Sequence, residues 1–583
     1  MVNRGRSGGC VTCRQRRVKC DEAKPECRAC QRLELRCGGY NRPKYAKLKF
    51  KDQNHKFCTN TNQDVDSHGR DVVKAATSPS RSSESDVQDR EVVRALTSRR
   101  LSEPHTAVPF FLGHYASIGR DMGSTRGFFE MLIPAYYSQR EESALSLAVS
   151  ALASEILSLW RQEASSFRSP RKSYSRAITR LRTATQDPIE RGEPATVLAV
   201  LALQTYENAS AIYHLRRASS THHNGAASLL SFVGSDDMDG MVRAYLRKFM
   251  LHTEVSTAMR QKKPLKSIAY SWIGSKGTMT VPDNPSSALD AIGASVTELQ
   301  ASYTQFVTQG GSTTSLERVL KQWRAEARRV DAELLAWAEN VPHHWRPLRL
   351  ISGWDIDSSI PTYQSVCEVY PSCQIASIWN LWRFQRLLLA KITLGSLNAF
   401  SDLNRFGFTY GQFLLGDPTD FVNCQQTLQE VVDSVCYSIP FYLGNRTTRS
   451  SLTDFTDPTV LLPSHYSLED GTRPDRDGLD AGISRDDHRR HVIAQGPWRA
   501  MHPLSRLLTL FSEEHGEVIA SFLRPGQREW IRDQFLRVIT LLHLPSESGN
   551  DMERSESPGV SADAKAVSLA REIRKGAILM SGP

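Results

Sequence analysis

From about Phe110 onward, apolar side chains return every three or four positions, the spacing that lines one face of a helix. Arg126–Arg140 carries Phe128, Phe129, Leu132, Tyr136 and Tyr137, with Pro134 expected to end or kink it. Ser143–Ala164 carries Leu145, Val149, Leu152, Ile156, Leu159 and Trp160. Arg171–Thr185 spaces Tyr174, Ile178 and Leu181, and Pro194–Asn208 opens on a proline suited to a first helical position. Asn224–Gly234 reads as a short helix closed by glycine. The same period predicts helices near Met238–Gln261, Ser286–Thr308, Ser315–Glu339, Cys373–Leu397, Gln425–Ile439, Arg499–Phe511, Gln527–Leu544 and Ala562–Met580. Strand-like alternation is sparse, so residues 109–583 read as an all-α body. Residues 444–495 break the pattern with Pro458, Pro463, Pro474 and a charged run from Asp475 to His491, which predicts a loop insertion.

Ahead of the body the pattern fails. Residues 59–108 hold no aromatic residue and crowd serines among charges, so they bury too little apolar area to offset their ordering entropy. They read as a disordered linker, and their valines and leucines keep no heptad register for a coiled coil. Self-association is therefore left open. No stretch reads as a transmembrane helix. The most apolar, Ser143–Trp160, is interrupted by Glu155.

Residues 10–37 are organised by cysteine instead. Cys10, Cys13, Cys20, Cys27, Cys30 and Cys37 repeat one unit, C-x2-C-x6-C, twice. Two tetrahedral zinc ions need eight bonds, and six thiolates supply eight if two of them bridge. The repeat makes the bridging pair Cys10 with Cys27, Cys13 with Cys30, or Cys20 with Cys37; spacing does not choose. A disulfide framework would need a secretory route, and the first nine residues, 1–9, lack an apolar leader segment and read as a flexible N-terminus. The other cysteines, Cys58, Cys367, Cys373, Cys424 and Cys436, are scattered and read as isolated thiols.

Charge sharpens the picture. The chain of 583 residues carries a net +10; residues 1–50 hold 14 Lys+Arg against 4 Asp+Glu, and the remainder balances at 59 against 59. The whole excess sits on the cysteine segment and on a basic arm, residues 38–58, with Lys44, Lys47 and Lys49. That is the footprint of a polyanion binder, with the arm contacting phosphates or serving nuclear import. The two cysteine units differ: the first holds Arg14, Arg16, Arg17 and Lys19, the second Leu33, Glu34 and Leu35. A folding clip has no reason for that asymmetry, whereas a DNA reader does.

The six cysteines, the run Arg14–Asp21 and Pro25 resemble the fungal Zn2Cys6 binuclear-cluster transcription factors. The resemblance implies two zinc ions bridged by Cys10 and Cys27, two short helices related by a pseudo-twofold axis, and the first helix in the major groove of double-stranded DNA at a CGG-type triplet. Arg17 stands where many members carry lysine; both donate to guanine. It further implies a nuclear regulator of RNA polymerase II transcription, of a metabolic or biosynthetic gene set, with co-regulators as partners. The helix over Ala144–Trp160 and the stretch His222–Leu230 resemble the regulatory domain that accompanies such clusters. The competing reading is an RNA-binding or protein-interaction scaffold that uses zinc only to fold.

No enzyme is expected. Phosphate-cradling glycine loops and H-E-x-x-H are absent. His488 and His491 read as part of a solvated loop, His222 and His223 as capping or core hydrogen bonders, and Trp379, Trp382 and Phe384 as core.

Overall fold

The computed structural model describes residues 10–16, 18–21, 23, 26–33, 35–37, 104–116, 128–161, 168–234, 237–273, 284–309, 313–405, 418–464, 485–513, 516–545 and 562–576. The chain divides into two units, residues 1–82 and 83–583. The expectations for 1–9, for the basic arm, for the linker up to 103 and for 465–484 lie outside the described residues.

Among the described residues the first unit holds two short helices, α1 (Val11–Gln15) and α2 (Arg28–Gln31), around a core made of cysteine. The second unit is mostly helical. Its first half packs α3 (Pro104–Phe111), a π-helical turn Leu112–Ala116, α4 (Phe128–Ser138), α5 (Ala144–Arg161), α6 (Arg168–Gln186), α7 (Pro188–Gly192), α8 (Pro194–Tyr213) and α9 (Thr221–Leu229). Helix α5 lies at its centre, against α3, α6 and α8. It is long and apolar enough to cross a membrane, but those side chains are buried among its neighbours. The Ser143 hydroxyl accepts from the Ser146 amide at 3.1 Å and starts the helix. Asp187 caps α7 through the amides of Ile189 and Glu190, with Pro188 at the first turn.

Then follow α10 (Asp237–Gln261), α11 (Ser267–Ile273), α12 (Pro285–Gln309), α13 (Thr313–Asn340), β1 (Leu348–Ile351), β2 (Val366–Val369), α14 (Cys373–Arg405), α15 (Pro418–Leu443), α16 (Arg485–Phe511), α17 (Gly516–Ser521), α18 (Gln527–Leu541) and α19 (Ala562–Gly576). Helices α13 to α16 pack in succession and α18 closes onto α16. Two apolar cores result, and Trp272, Leu462 and Trp498 pack against both.

Four expectations are corrected. The body is not all-α: β1 and β2 pair antiparallel, Leu348 with Val369 and Ile351 with Val366. Four-residue strands are too short to show alternation, and Glu368 turns inward to a buried ion pair with Arg383 at 2.6 Å. The predicted linker ends earlier, because 104–108 belong to α3, where Thr106, Ala107 and Val108 join the core. Pro134 does not end its helix, since it lies within α4, which continues to Ser138.

The loop insertion does not extend to 495. Residues 485–495 are the first turns of α16, and His488 and His491 are buried there. The run's charges misled: Arg489 turns inward to the carbonyls of Asp454, Phe455, Asp457 and Val460. Arg446, 5 % exposed, bonds the carbonyls of Tyr442, Leu443 and Ile493. Both arginines tie the irregular segment 444–464 to the helices. Gly496 allows the crossing of α15 and α16, since a Cβ there would lie 2.1 Å from the Tyr442 carbonyl oxygen.

The readings of His222, His223, Trp379, Trp382 and Phe384 match the structure. His223 bonds Glu254 at 3.2 Å in the core, and His222 reaches Tyr174 and Glu207. Trp379 and Trp382 donate to the carbonyls of Trp345 and Leu334, and Phe384 is buried under the Arg506 guanidinium.

Candidate metal centre and nucleic-acid interface

Each short helix of the first unit begins directly after a cysteine. The Cys13 amide donates to Cys10 Sγ at 3.4 Å and the Cys30 amide to Cys27 Sγ at 3.3 Å, so each sulfur plays the part of a helix cap. These equivalent contacts make the internal repeat visible in space. Asp21 ties the halves together: its carboxylate accepts from the amides of Arg28 and Ala29 at 3.2 and 3.4 Å. Burial opposes ionisation there, yet those amides and the nearby Arg28 charge hold the carboxyl below its usual range. Thr12 Oγ1 donates to the Arg36 carbonyl at 3.0 Å and adds a second tie. Neither role was legible in the sequence.

The sulfurs form two quartets. Cys10, Cys13, Cys20 and Cys27 make one, and Cys10, Cys27, Cys30 and Cys37 the other, with all ligand atoms in each within 4.8 Å. Both quartets contain Cys10 and Cys27. Of the three pairs that spacing left open, this is the pair common to both sites. Cys10 Sγ lies 3.6 Å from Cys27 Sγ and 3.7 Å from Cys30 Sγ, and Cys13 Sγ lies 3.6 Å from Cys27 Sγ. Tetrahedral zinc with bonds of about 2.3 Å has sulfur–sulfur edges of about 3.8 Å, so the spacing suits that ion. Cys10, Cys13, Cys27 and Cys30 are fully buried; Cys20 and Cys37 are partly exposed. The Cys13 amide holds the Cys10 thiol down, to about 6, while burial pushes the thiols of Cys13, Cys27 and Cys30 up. A divalent cation takes the place of the thiol protons and removes the cost of burying so many sulfurs. Among the described residues these quartets are the groups with ligand geometry; His488 and His491 belong to none.

Arg16 and Lys19 are exposed beside this core, just past α1. Arg14 lies within α1. The Arg14 side chain, Arg17, Lys44, Lys47 and Lys49 lie outside the described residues. On the second repeat Leu33 and Leu35 are exposed.

Comparison with known proteins agrees with this geometry. Residues 8–47 match the Fungal Zn(2)-Cys(6) binuclear cluster domain. A stretch of 33 residues is 67% identical to Pestheic acid cluster transcriptional regulator 3 of Pestalotiopsis fici, covering 6% of each chain. Over 37 residues the identity is 62% to the Aspercryptin biosynthesis cluster-specific transcription regulator atnN of Emericella nidulans, again 6% of each. Transcriptional regulatory protein moc3 of Schizosaccharomyces pombe shares 56% over 32 residues, 6% of each chain. These likenesses span only a small part of the relatives' own length. No solved structure matches the chain. Its N-terminal segment is a fungal Zn2Cys6 binuclear cluster domain of the kind carried by transcriptional regulators.

Proposed function

We propose that this protein is a nuclear, sequence-specific DNA-binding transcription factor acting on RNA polymerase II transcription. The two cysteine quartets that share Cys10 and Cys27 carry the reading, with Arg16 and Lys19 exposed beside them. Two zinc ions, one per quartet, would be held by all six cysteines and would fold a segment too small to hold its shape by apolar burial. The metals supply structure; contact with DNA falls to the basic side chains. Arg17 reads guanine O6 and N7 in a CGG-type triplet, Arg14, Arg16 and Lys19 divide base-edge and phosphate contacts, and Lys44, Lys47 and Lys49 grip phosphates. The positive excess confined to residues 1–50 supports this division of labour.

The second unit serves as the regulatory domain, receiving signals or recruiting co-regulators. The pestheic acid and aspercryptin regulators carry biosynthetic gene clusters in their names, which supports a biosynthetic gene set as the target here. No catalytic chemistry is assigned to the chain.

The test is a binding titration of wild type and Arg17→Ala against a CGG site and scrambled duplexes at several salt concentrations. Loss of a bidentate guanine contact removes about 1–3 kcal/mol of discrimination and flattens the preference for the triplet. Equal weakening on every duplex would assign Arg17 to the backbone. Absence of any triplet preference in wild type would instead favour the zinc-folded scaffold.

A further inference from the structure

Between α12, α14 and the turn that follows α10 lies a cavity of about 60 Å3, with Lys262, Gln300, Tyr303, Thr304 and Lys391 among its lining residues. Lys262 Nζ and Lys391 Nζ both reach Glu513 Oε2, at 3.0 and 2.5 Å. One carboxylate oxygen thus sets two ammonium groups side by side, and one positive charge is left over. Tyr303 brings α12 against α14 here, its hydroxyl seated over Gly395, where a Cβ would collide with it. Lys262 stands just past α10 at φ +55°, a left-handed position that favours glycine. Backbone strain of this kind recurs at ligand-binding sites.

The surroundings are positive beyond the two lysines. Arg574 of α19 donates to Thr509 Oγ1, one turn before Glu513. Arg506, also on α16, is 8 % exposed, lies 4.4 Å from the centre of the Phe384 ring and pairs with no carboxylate among the described residues. Burial and the Arg574 charge push its pKa down to about 9. Burial also opposes the Glu513 carboxylate, but Lys391 and Lys262 hold that carboxyl below its usual range. Against this excess of cations stands one polar atom with nothing to bond. Gln300 is 7 % exposed, and its Oε1 is buried without a hydrogen-bond partner. Native structures rarely leave such an atom unpaired. A ligand that suits the cavity therefore offers charged acceptors to the lysines and a donor to the amide oxygen.

We propose that this cavity binds inorganic phosphate, whose charged oxygens accept from Lys262 and Lys391 and whose P–OH donates to Gln300 Oε1. An ammonium has three N–H donors, and Glu513 takes one from Lys262. The cavity exceeds several times the roughly 10–15 Å3 that one water needs, which leaves room for four oxygens. Inorganic phosphate keeps at least one proton at neutral pH. Sulfate and carboxylates keep none, and a phosphate monoester loses its last with a pKa of about 6. Each of those would bring only acceptors to Gln300 Oε1, and a cationic ligand would meet two ammonium groups. Such a site gives the second unit a chemical input independent of the cysteine cluster.

The experiment is a calorimetric and thermal-shift titration of the zinc-loaded full chain at pH 8 with inorganic phosphate, sulfate and methyl phosphate at matched ionic strength. Phosphate binds and raises the melting temperature, and it binds more tightly than either other anion. Lys262→Gln weakens phosphate about tenfold to hundredfold, as loss of a charged hydrogen bond requires. Gln300→Leu weakens phosphate about threefold to tenfold and removes its advantage over sulfate. The unliganded melting temperature of Gln300→Leu stays level or rises, because an unpaired amide oxygen is gone. Lys263→Gln, which changes an exposed lysine outside the lining, leaves the affinity unchanged. No binding of phosphate, equal affinity for the three anions, or an unchanged phosphate affinity in Lys262→Gln or in Gln300→Leu each overturns the proposal.

Discussion

Removing a cysteine should cost zinc in whole numbers that depend on which cysteine is removed. Cys20 belongs to one quartet, whereas Cys10 belongs to both. A structural zinc is held by about 10–16 kcal/mol, which puts about 3–4 kcal/mol on each of four bonds. Cys20→Ser cuts one bond and leaves the quartet of Cys10, Cys27, Cys30 and Cys37 complete. Cys10→Ser cuts two bonds and leaves neither complete, at about twice the cost. The geometry also sets a distance. Two tetrahedra sharing the 3.6 Å edge between Cys10 and Cys27, with bonds of about 2.3 Å, place their metals about 2.9 Å apart. The assay is metal analysis of the full chain after dialysis against a chelator of fixed strength, with X-ray absorption at the zinc edge. The expected counts are two zinc ions for wild type, one for Cys20→Ser and none for Cys10→Ser. The metal–metal scattering feature appears in wild type alone. Equal counts for the two variants, or wild type with two ions and no such feature, would refute the shared-sulfur arrangement.

A chain trimmed to residues 104–583 keeps the helical unit and loses the positive excess; it should fail to shift duplex DNA at moderate salt in a gel assay. Burial pushes the Glu155 carboxyl up to about 7, with Arg171 and Arg216 opposing, so the folded state holds a proton that the unfolded chain releases near 4.5. Stability from this group is therefore lost as pH rises from about 4.5 to about 7, by about 3 kcal/mol, and Glu155→Gln should be the more stable protein at pH 8 in urea titrations. Arg383 is 1 % exposed and bonds Glu368, Tyr370, Asn380 and Ser434. Arg383→Ala leaves the buried Glu368 with the largely exposed Arg349 as its ion-pair partner, and should lower unfolding free energy by about 3 kcal/mol, measured by the same method.

The sequence by itself determined the cysteine cluster and most of the helices, because both rest on local spacing. A doubled C-x2-C-x6-C counts ligands without reference to the fold, and a period of three to four residues marks a buried helical face wherever that face packs. Spacing fails where the partner is remote. Spacing left the bridging pair open; the resemblance pointed to Cys10 and Cys27, and the fold brings the sulfurs of both halves together around that pair. The run from Asp475 to His491 looked solvated because charge ordinarily seeks water. Tertiary contact turned Arg489 onto the carbonyls of a neighbouring segment and buried His488 and His491. A cavity lined by Tyr115, Ser450 and His543 is the extreme case, since these residues come from distant parts of the chain and share no spacing, and the fold alone brought them together.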